Sequence, residues 1–156
     1  MEGNKKRRTK SGLRGVARFC ALQTLYRSEF CNSTVASVLG ESDKGAEAFL
    51  TESISVSEMD KVFFKQLLDE SSKNLSDVDA IIAKNLSKSW SMDRLDPVTK
   101  CILQLGITEL MCFKETPSNV IFNEYIEIAK AFFDTPEVSF INGLLNKAAD
   151  SVRKKQ

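Results

Sequence analysis

The chain has 156 residues, of which 42% are hydrophobic and 28% charged, with seven Gly, three Pro and no His. That length suits one domain or two small bundles, and it buries enough surface to need no disulfide or metal staple. The missing His excludes Ser-His and Cys-His nucleophile pairs, and the few Gly and Pro favour helices over a turn-rich β fold.

A formal net charge of +1 conceals an asymmetry. Residues 1–18 carry seven basic side chains (Lys5, Lys6, Arg7, Arg8, Lys10, Arg14 and Arg18) and one acid, Glu2. The remainder carries 15 basic and 20 acidic residues. A basic tip on an acidic body points to an oriented partner, first a nucleic acid or an acidic surface. Residues 1–12 read as a flexible basic arm, 13–152 as a single all-helical domain and 153–156 as a basic tail.

A first helix is expected from about Leu13 to Cys31, with Gly15 weakening its first turn. On it Lys10, Arg14 and Arg18 stand at i, i+4 and i+8, one stripe able to meet successive phosphates. A nuclear localisation signal, a membrane-surface tether and plain solvation are the other readings of such a stripe. A second helix is expected over Lys44–Ile54. A third runs from Ser57 to Leu75, with Ser57 as N-cap, Asp60 at N3, and Val62, Phe63, Gln66, Leu67 and Leu75 in helical period. Ser76 restarts the chain as a helix to about Asn85, with Val78, Ile81 and Ile82 on its apolar face.

Prolines organise the rest. Pro97 follows Asp96, Pro117 follows Thr116 and Pro136 follows Thr135, and each pair reads as an N-cap followed by a first helical residue. Helices are expected over 97–114, 118–133 and 136–152, joined by short connections as in a bundle. The fold class is all-α, with about seven helices in two packed bundles. The "NEYIEIAK" acids, Glu124 and Glu127, share a face but lack the His of a di-iron motif, so a solvated acid pair is expected. No Gly-rich phosphate loop, cofactor motif or metal set is present. Cys20, Cys31, Cys101 and Cys112 lie in apolar helical surroundings and are expected as buried free thiols in a reducing compartment. No run is long enough for a membrane span, and the chain reads as cytoplasmic.

Ten Phe and two Tyr are available to stack on bases, though most must be core. Phe140 stands apart. In "SFINGLL" it precedes Asn142-Gly143, a polar pair inside a helix. Gly143 there implies either a close approach of backbone or a helix–helix packing contact.

Two stretches carry a resemblance. "ARFCALQTLY" (17–26) has an Ala-x-Gln-x-Leu-Tyr pattern after a basic opening. "ILQLGITEL", "TPSNVIFNEYIEIAK" and "FINGLLNKAA" fall between Pro97 and Ala149. Together they are similar to the NusB family of transcription antitermination factors. The resemblance implies an all-helical fold of two bundles and no catalytic activity. It also implies binding of boxA-type RNA of ribosomal RNA operons together with NusE, a small-subunit ribosomal protein, within the antitermination complex of RNA polymerase. It leaves monomer and homodimer open. By residue, it assigns RNA contacts to Arg14, Arg18 and Phe140, with the upstream run Lys5, Lys6, Arg7, Arg8 and Lys10 as the displaced basic segment. It assigns the NusE surface to Asp93, Thr99 and Lys100, and treats Asn123 and Glu124 as a structural pair. Gln104 replaces an Arg frequent in the family, and Phe133 stands where Gly is usual.

Two other functions fit the residues. NusB-like domains also precede a methyltransferase domain in some ribosomal RNA cytosine methyltransferases, a reading the length of the chain disfavours. A helical interaction module with no RNA role is the other.

Overall fold

The computed structural model describes residues 10–30 and 59–153, and every regular element among them is helical. They are α1 (Lys10–Phe30), α2 (Lys61–Lys73), α3 (Leu75–Asn85), a 3-10 turn (Met92–Arg94), α4 (Pro97–Cys112), α5 (Ser118–Lys130) and α6 (Thr135–Val152). The helix expected over Lys44–Ile54 and the cap expected at Ser57 lie outside the described residues. The chain divides into two compact units, Met1–Gln66 and Leu67–Gln156.

In the first unit, α1 begins at Lys10, a turn earlier than the apolar pattern suggested. Its buried face includes Val16, Ala17, Cys20, Ala21, Leu22 and Leu25. Two hydroxyls share that burial. Thr24 Oγ1 donates to the Cys20 carbonyl at 2.9 Å and Ser28 Oγ to that of Leu25 at 2.8 Å, so neither is left unsatisfied. α2 starts at Lys61 because Asp60 caps it: its Oδ1 accepts from the Phe63 amide at 3.0 Å. The Asp60 amide donates in turn to the Leu13 carbonyl at 3.2 Å, tying the entry of α2 to α1. The face of α2 that is buried carries Phe63, Leu67, Leu68 and Ser71, whereas Val62 is 69% exposed. The helical period grouped Val62 and Leu75 with the apolar face; Val62 adjoins Phe63 at the edge of the buried stripe, and Leu75 opens α3 at 41% exposure.

α4 organises the second unit. All ten residues from 101 to 110 are buried, including Gln104, Thr108 and Glu109. A helix buried on every side is an interior helix. α5 and α6 pack against α4 and against each other, and α3 lies against α4 and α6. Asp96 caps α4 as expected, accepting from Val98 N at 2.8 Å and Thr99 N at 3.4 Å, with Pro97 at the first helical position. The other two proline starts differ. Pro117 itself occupies the cap position of α5, and Asp134 that of α6, neither with a side-chain cap. Gln104 donates from Nε2 to Asp79 Oδ1 at 2.8 Å, an amide–carboxylate pair joining α4 to α3.

At Gly106, α6 packs too close to α4 to leave room for a side chain. A Cβ there would stand 2.8 Å from Leu145 Cδ2 and 3.5 Å from Tyr125 Cδ2. Gly143 is the opposite case: it is exposed, and nothing lies within 4 Å of where its Cβ would be. Within the described residues it serves no packing contact, yet it sits inside α6. Gly143→Ala is therefore expected to stabilise the fold by about 0.5–1 kcal/mol through the reduced entropy of the unfolded chain. A thermal melt about 1–4 °C higher than that of the wild type would register it.

Cys20 and Cys101 are buried free thiols and Cys112 is a half-buried one, while Cys31 lies outside the described residues. Burial pushes the Cys20 thiol up to about 11, and burial together with Glu70 pushes Cys112 up to about 11. Because both pKa values lie above that of an unfolded thiol, the stability they contribute is complete below about pH 9 and is lost as pH rises towards 11. Thermal midpoints followed from pH 8 to 11 should fall over that window. Iodoacetamide labelling of Cys20 and Cys112 in the folded protein should remain slow at pH 8.

Candidate nucleic-acid interface

Two separate features carry the chemistry, one in each unit. In the first unit, the α1 spacing sets Arg14 and Arg18 one turn apart, and both guanidinium groups lie over the ring of Phe63. Their Cζ atoms are 4.6 and 5.0 Å from its centroid. Such placements are attractive because the ring face carries a negative quadrupole. Arg14 also faces Asp60, with Nε 3.7 Å from Oδ2. The expected stripe is thus uneven: the Arg14 side chain is 27% exposed, whereas Arg18 is 2% exposed. Sequence spacing set Arg18 on one stripe with Lys10 and Arg14, and the structure buries it. Lys10 is the first residue of α1, and Lys5, Lys6, Arg7 and Arg8 lie outside the described residues.

The second feature is a groove of about 360 Å³ between the loop that follows α3 and the start of α6. Trp90 and Phe140 stand at its mouth, their ring centroids 6.4 Å apart and tilted by 38°. Arg94, Leu95, Asp96 and Thr99 line one side, Pro136 and Glu137 the other. The loop is held locally. The Trp90 amide donates to the Ser87 carbonyl at 2.9 Å, and Arg94 Nη1 donates to the Ser89 carbonyl at 3.1 Å. Trp90 is 50% and Phe140 37% exposed, so both rings offer a face to solvent. An apolar slot edged by a guanidinium, two carboxylates and a hydroxyl suits a flat aromatic group with polar edges, which describes a nucleobase well.

The groove brings Phe140 together with Thr99, a residue assigned from sequence to a protein partner. Asp93 lies exposed on the adjoining 3-10 turn and Lys100 half-buried on α4, and neither lines the groove. Trp90 and Arg94 were missed from the sequence. A signal existed: the single Trp of the chain sits in "LSKSWSMDR", a polar run with no helical period, where a core residue is not expected. Among the described residues, no group of His, Cys, Asp or Glu side chains is arranged to hold a metal ion. Glu127 is exposed and pairs with Lys130 Nζ at 3.1 Å. No described helix is long and apolar enough to cross a membrane.

An all-helical frame with a basic first helix and an exposed aromatic groove defines a helical binding protein. The NusB family model matches residues 16–150, and the chain belongs to the NusB family. A curated relative, the transcription antitermination protein NusB of Caulobacter vibrioides, is 37% identical over 140 residues, 90% of this chain and 94% of the relative. Among solved structures, T. maritima NusB superposes with a TM-score of 0.68 at 28% identity, covering 88% of this chain and 90% of that one. A structure of the antitermination factors NusB and NusE in complex with double-stranded RNA matches with a TM-score of 0.68 at 25% identity, covering 89% of this chain and 97% of that one.

Proposed function

We propose that this protein is a transcription antitermination factor that binds boxA-type RNA of ribosomal RNA operons together with NusE and acts without catalysis. The observation that carries the reading is the NusB family match over residues 16–150, with curated relatives that are antitermination proteins. The solved NusB–NusE–RNA complex supports the pairing of RNA and NusE. Basic residues of the arm, with Arg14, supply phosphate contacts, and counterion release makes that part of the binding salt-dependent. The Trp90–Phe140 groove receives a base, because stacking is where a single-stranded RNA gains affinity from exposed aromatics. Asp93, Thr99 and Lys100 contribute to the NusE surface. The complex then joins RNA polymerase in the cytoplasm.

Fluorescence anisotropy tests this directly, with a boxA-like RNA against a scrambled RNA of equal length, at two salt concentrations, with and without NusE. Tighter, sequence-selective binding on addition of NusE is expected. Equal binding to both RNAs, unchanged by NusE, would overturn the reading. Sedimentation of the same preparation tests self-association.

A further inference from the structure

Arg14 and Arg18 look equivalent in sequence, yet the structure treats them differently. They share one ring, that of Phe63, at 4.6 and 5.0 Å. Phe63 is itself only 1% exposed, and Arg18 is part of what encloses its ring. Arg18 is buried and lies against it. Arg14 stands at the solvent edge of the same platform, with a side chain 27% exposed. Its Nε is shielded from solvent without a hydrogen-bond partner, and Asp60 Oδ2 at 3.7 Å is close enough for attraction but too far for that bond. Asp60 is not free to follow Arg14, because its Oδ1 is engaged at the start of α2 by the Phe63 amide. The result is one accessible guanidinium held above a ring by its neighbours.

We infer that the two arginines divide the work: Arg14 is the phosphate contact, and Arg18 is a positioning residue that holds Phe63, and through it Arg14, without touching RNA. The division rests on the RNA-binding reading above. A cation at 2% exposure gains no phosphate without leaving its ring, whereas Arg14 reaches one by exchanging a loose carboxylate partner for a direct one. Preorganisation by Phe63 limits the side-chain entropy lost when that anion binds.

A salt titration of RNA affinity separates the roles, since each phosphate contact to single-stranded RNA contributes about 0.7 to the slope of log K against log salt. The probe is the boxA-like RNA, and wild type, Arg14→Gln, Arg18→Met and the double variant are compared, each checked for fold by circular dichroism. Arg14→Gln is expected to bind more weakly and to lose about 0.7 of slope. Arg18→Met is expected to bind a few-fold more weakly with the slope unchanged, and to add nothing in the Arg14→Gln background, because it acts only through Arg14. Phe63→Leu, which removes the ring and keeps an apolar side chain, should reproduce Arg18→Met. It also serves as the test if Arg18→Met does not fold.

Slope lost on Arg18→Met, or additive losses in the double variant, would overturn the division of roles and make Arg18 a second contact. An unchanged slope on Arg14→Gln would overturn it as well. Failure of wild type to prefer the boxA-like RNA would instead sink the underlying functional reading, so the two failures are told apart within one data set.

Discussion

Replacing Arg153 by Ala is expected to destabilise the protein by about 2–4 kcal/mol, the cost of removing several charge-assisted hydrogen bonds at a partly buried site. Just past the end of α6, Arg153 closes the C-terminus of α4. Its Nε donates to the Leu110 carbonyl at 2.8 Å, and Nη2 to the carbonyls of Phe113 at 2.9 Å and Glu109 at 3.4 Å. Nη1 donates to the Thr116 carbonyl at 2.6 Å and to Ser118 Oγ at 3.2 Å. The last carbonyls of a helix have no intrahelical donor, and a cation is also favoured at that end by the helix dipole. One side chain thus serves the end of α4, the turn after it and the start of α5. Burial lowers the Arg153 pKa, with Glu109 and Glu115 opposing the shift, but a guanidinium stays charged throughout the working range. Urea unfolding should show a lower midpoint with an unchanged m-value. Arg153→Lys should recover little, since an ammonium cannot reproduce the planar fork that spans five acceptors. A midpoint equal to that of the wild type in Arg153→Ala would show that water replaces the clamp at no cost.

The second large effect is expected at Gly106. Gly106→Val places a branched side chain where even a Cβ would be 2.8 Å from Leu145 Cδ2, and Leu145 is wholly buried. The atom in the way ends a side chain that is itself wholly buried, so Leu145 or the two helices must shift to make room. Overpacking of this kind costs about 1–3 kcal/mol, occasionally more, and the better helix propensity of Val offsets only a small part. The check is a double-mutant cycle. Leu145→Ala opens a cavity beside Gly106, and Gly106→Val should cost markedly less in that background. Additive losses would mean that the clash is relieved elsewhere. Gly143→Ala, with the opposite sign expected, is the control for helix propensity alone.

Local chemistry was legible. Asp96-Pro97 announced the start of α4 because a cap and a first-turn proline act within a few residues and need no tertiary partner. The helices from Pro97 onward, the all-α class and the buried free thiols of Cys20 and Cys101 followed from similarly short-range patterns and from composition. Family-level function was legible too, because the motifs at 17–26 and between Pro97 and Ala149 are specific in combination. The candidate site was read only in part. Phe140 was found because a polar Asn-Gly pair after it broke the expected apolar run. Trp90 and Arg94 were missed because their position in the groove depends on a loop that has no period to read.

By itself the sequence determined where α4 begins, which residues can be apolar core, and that the positive charge collects at one end. Tertiary structure alone decided which member of a repeated pattern performs which task. Arg14 and Arg18 are the same residue on the same helix beside one ring, that of Phe63, brought in by another helix, yet the fold buries one and leaves the other accessible. Gly106 and Gly143 each sit inside a helix, and only the approach of Leu145 makes the first indispensable. Arg153 reads as one more basic residue near a charged tail until it meets the Leu110 carbonyl, 43 residues back along the chain. Propensity, capping and charge act over a few residues and are written in order along the chain. Burial and partnership act through space, between segments the order keeps apart.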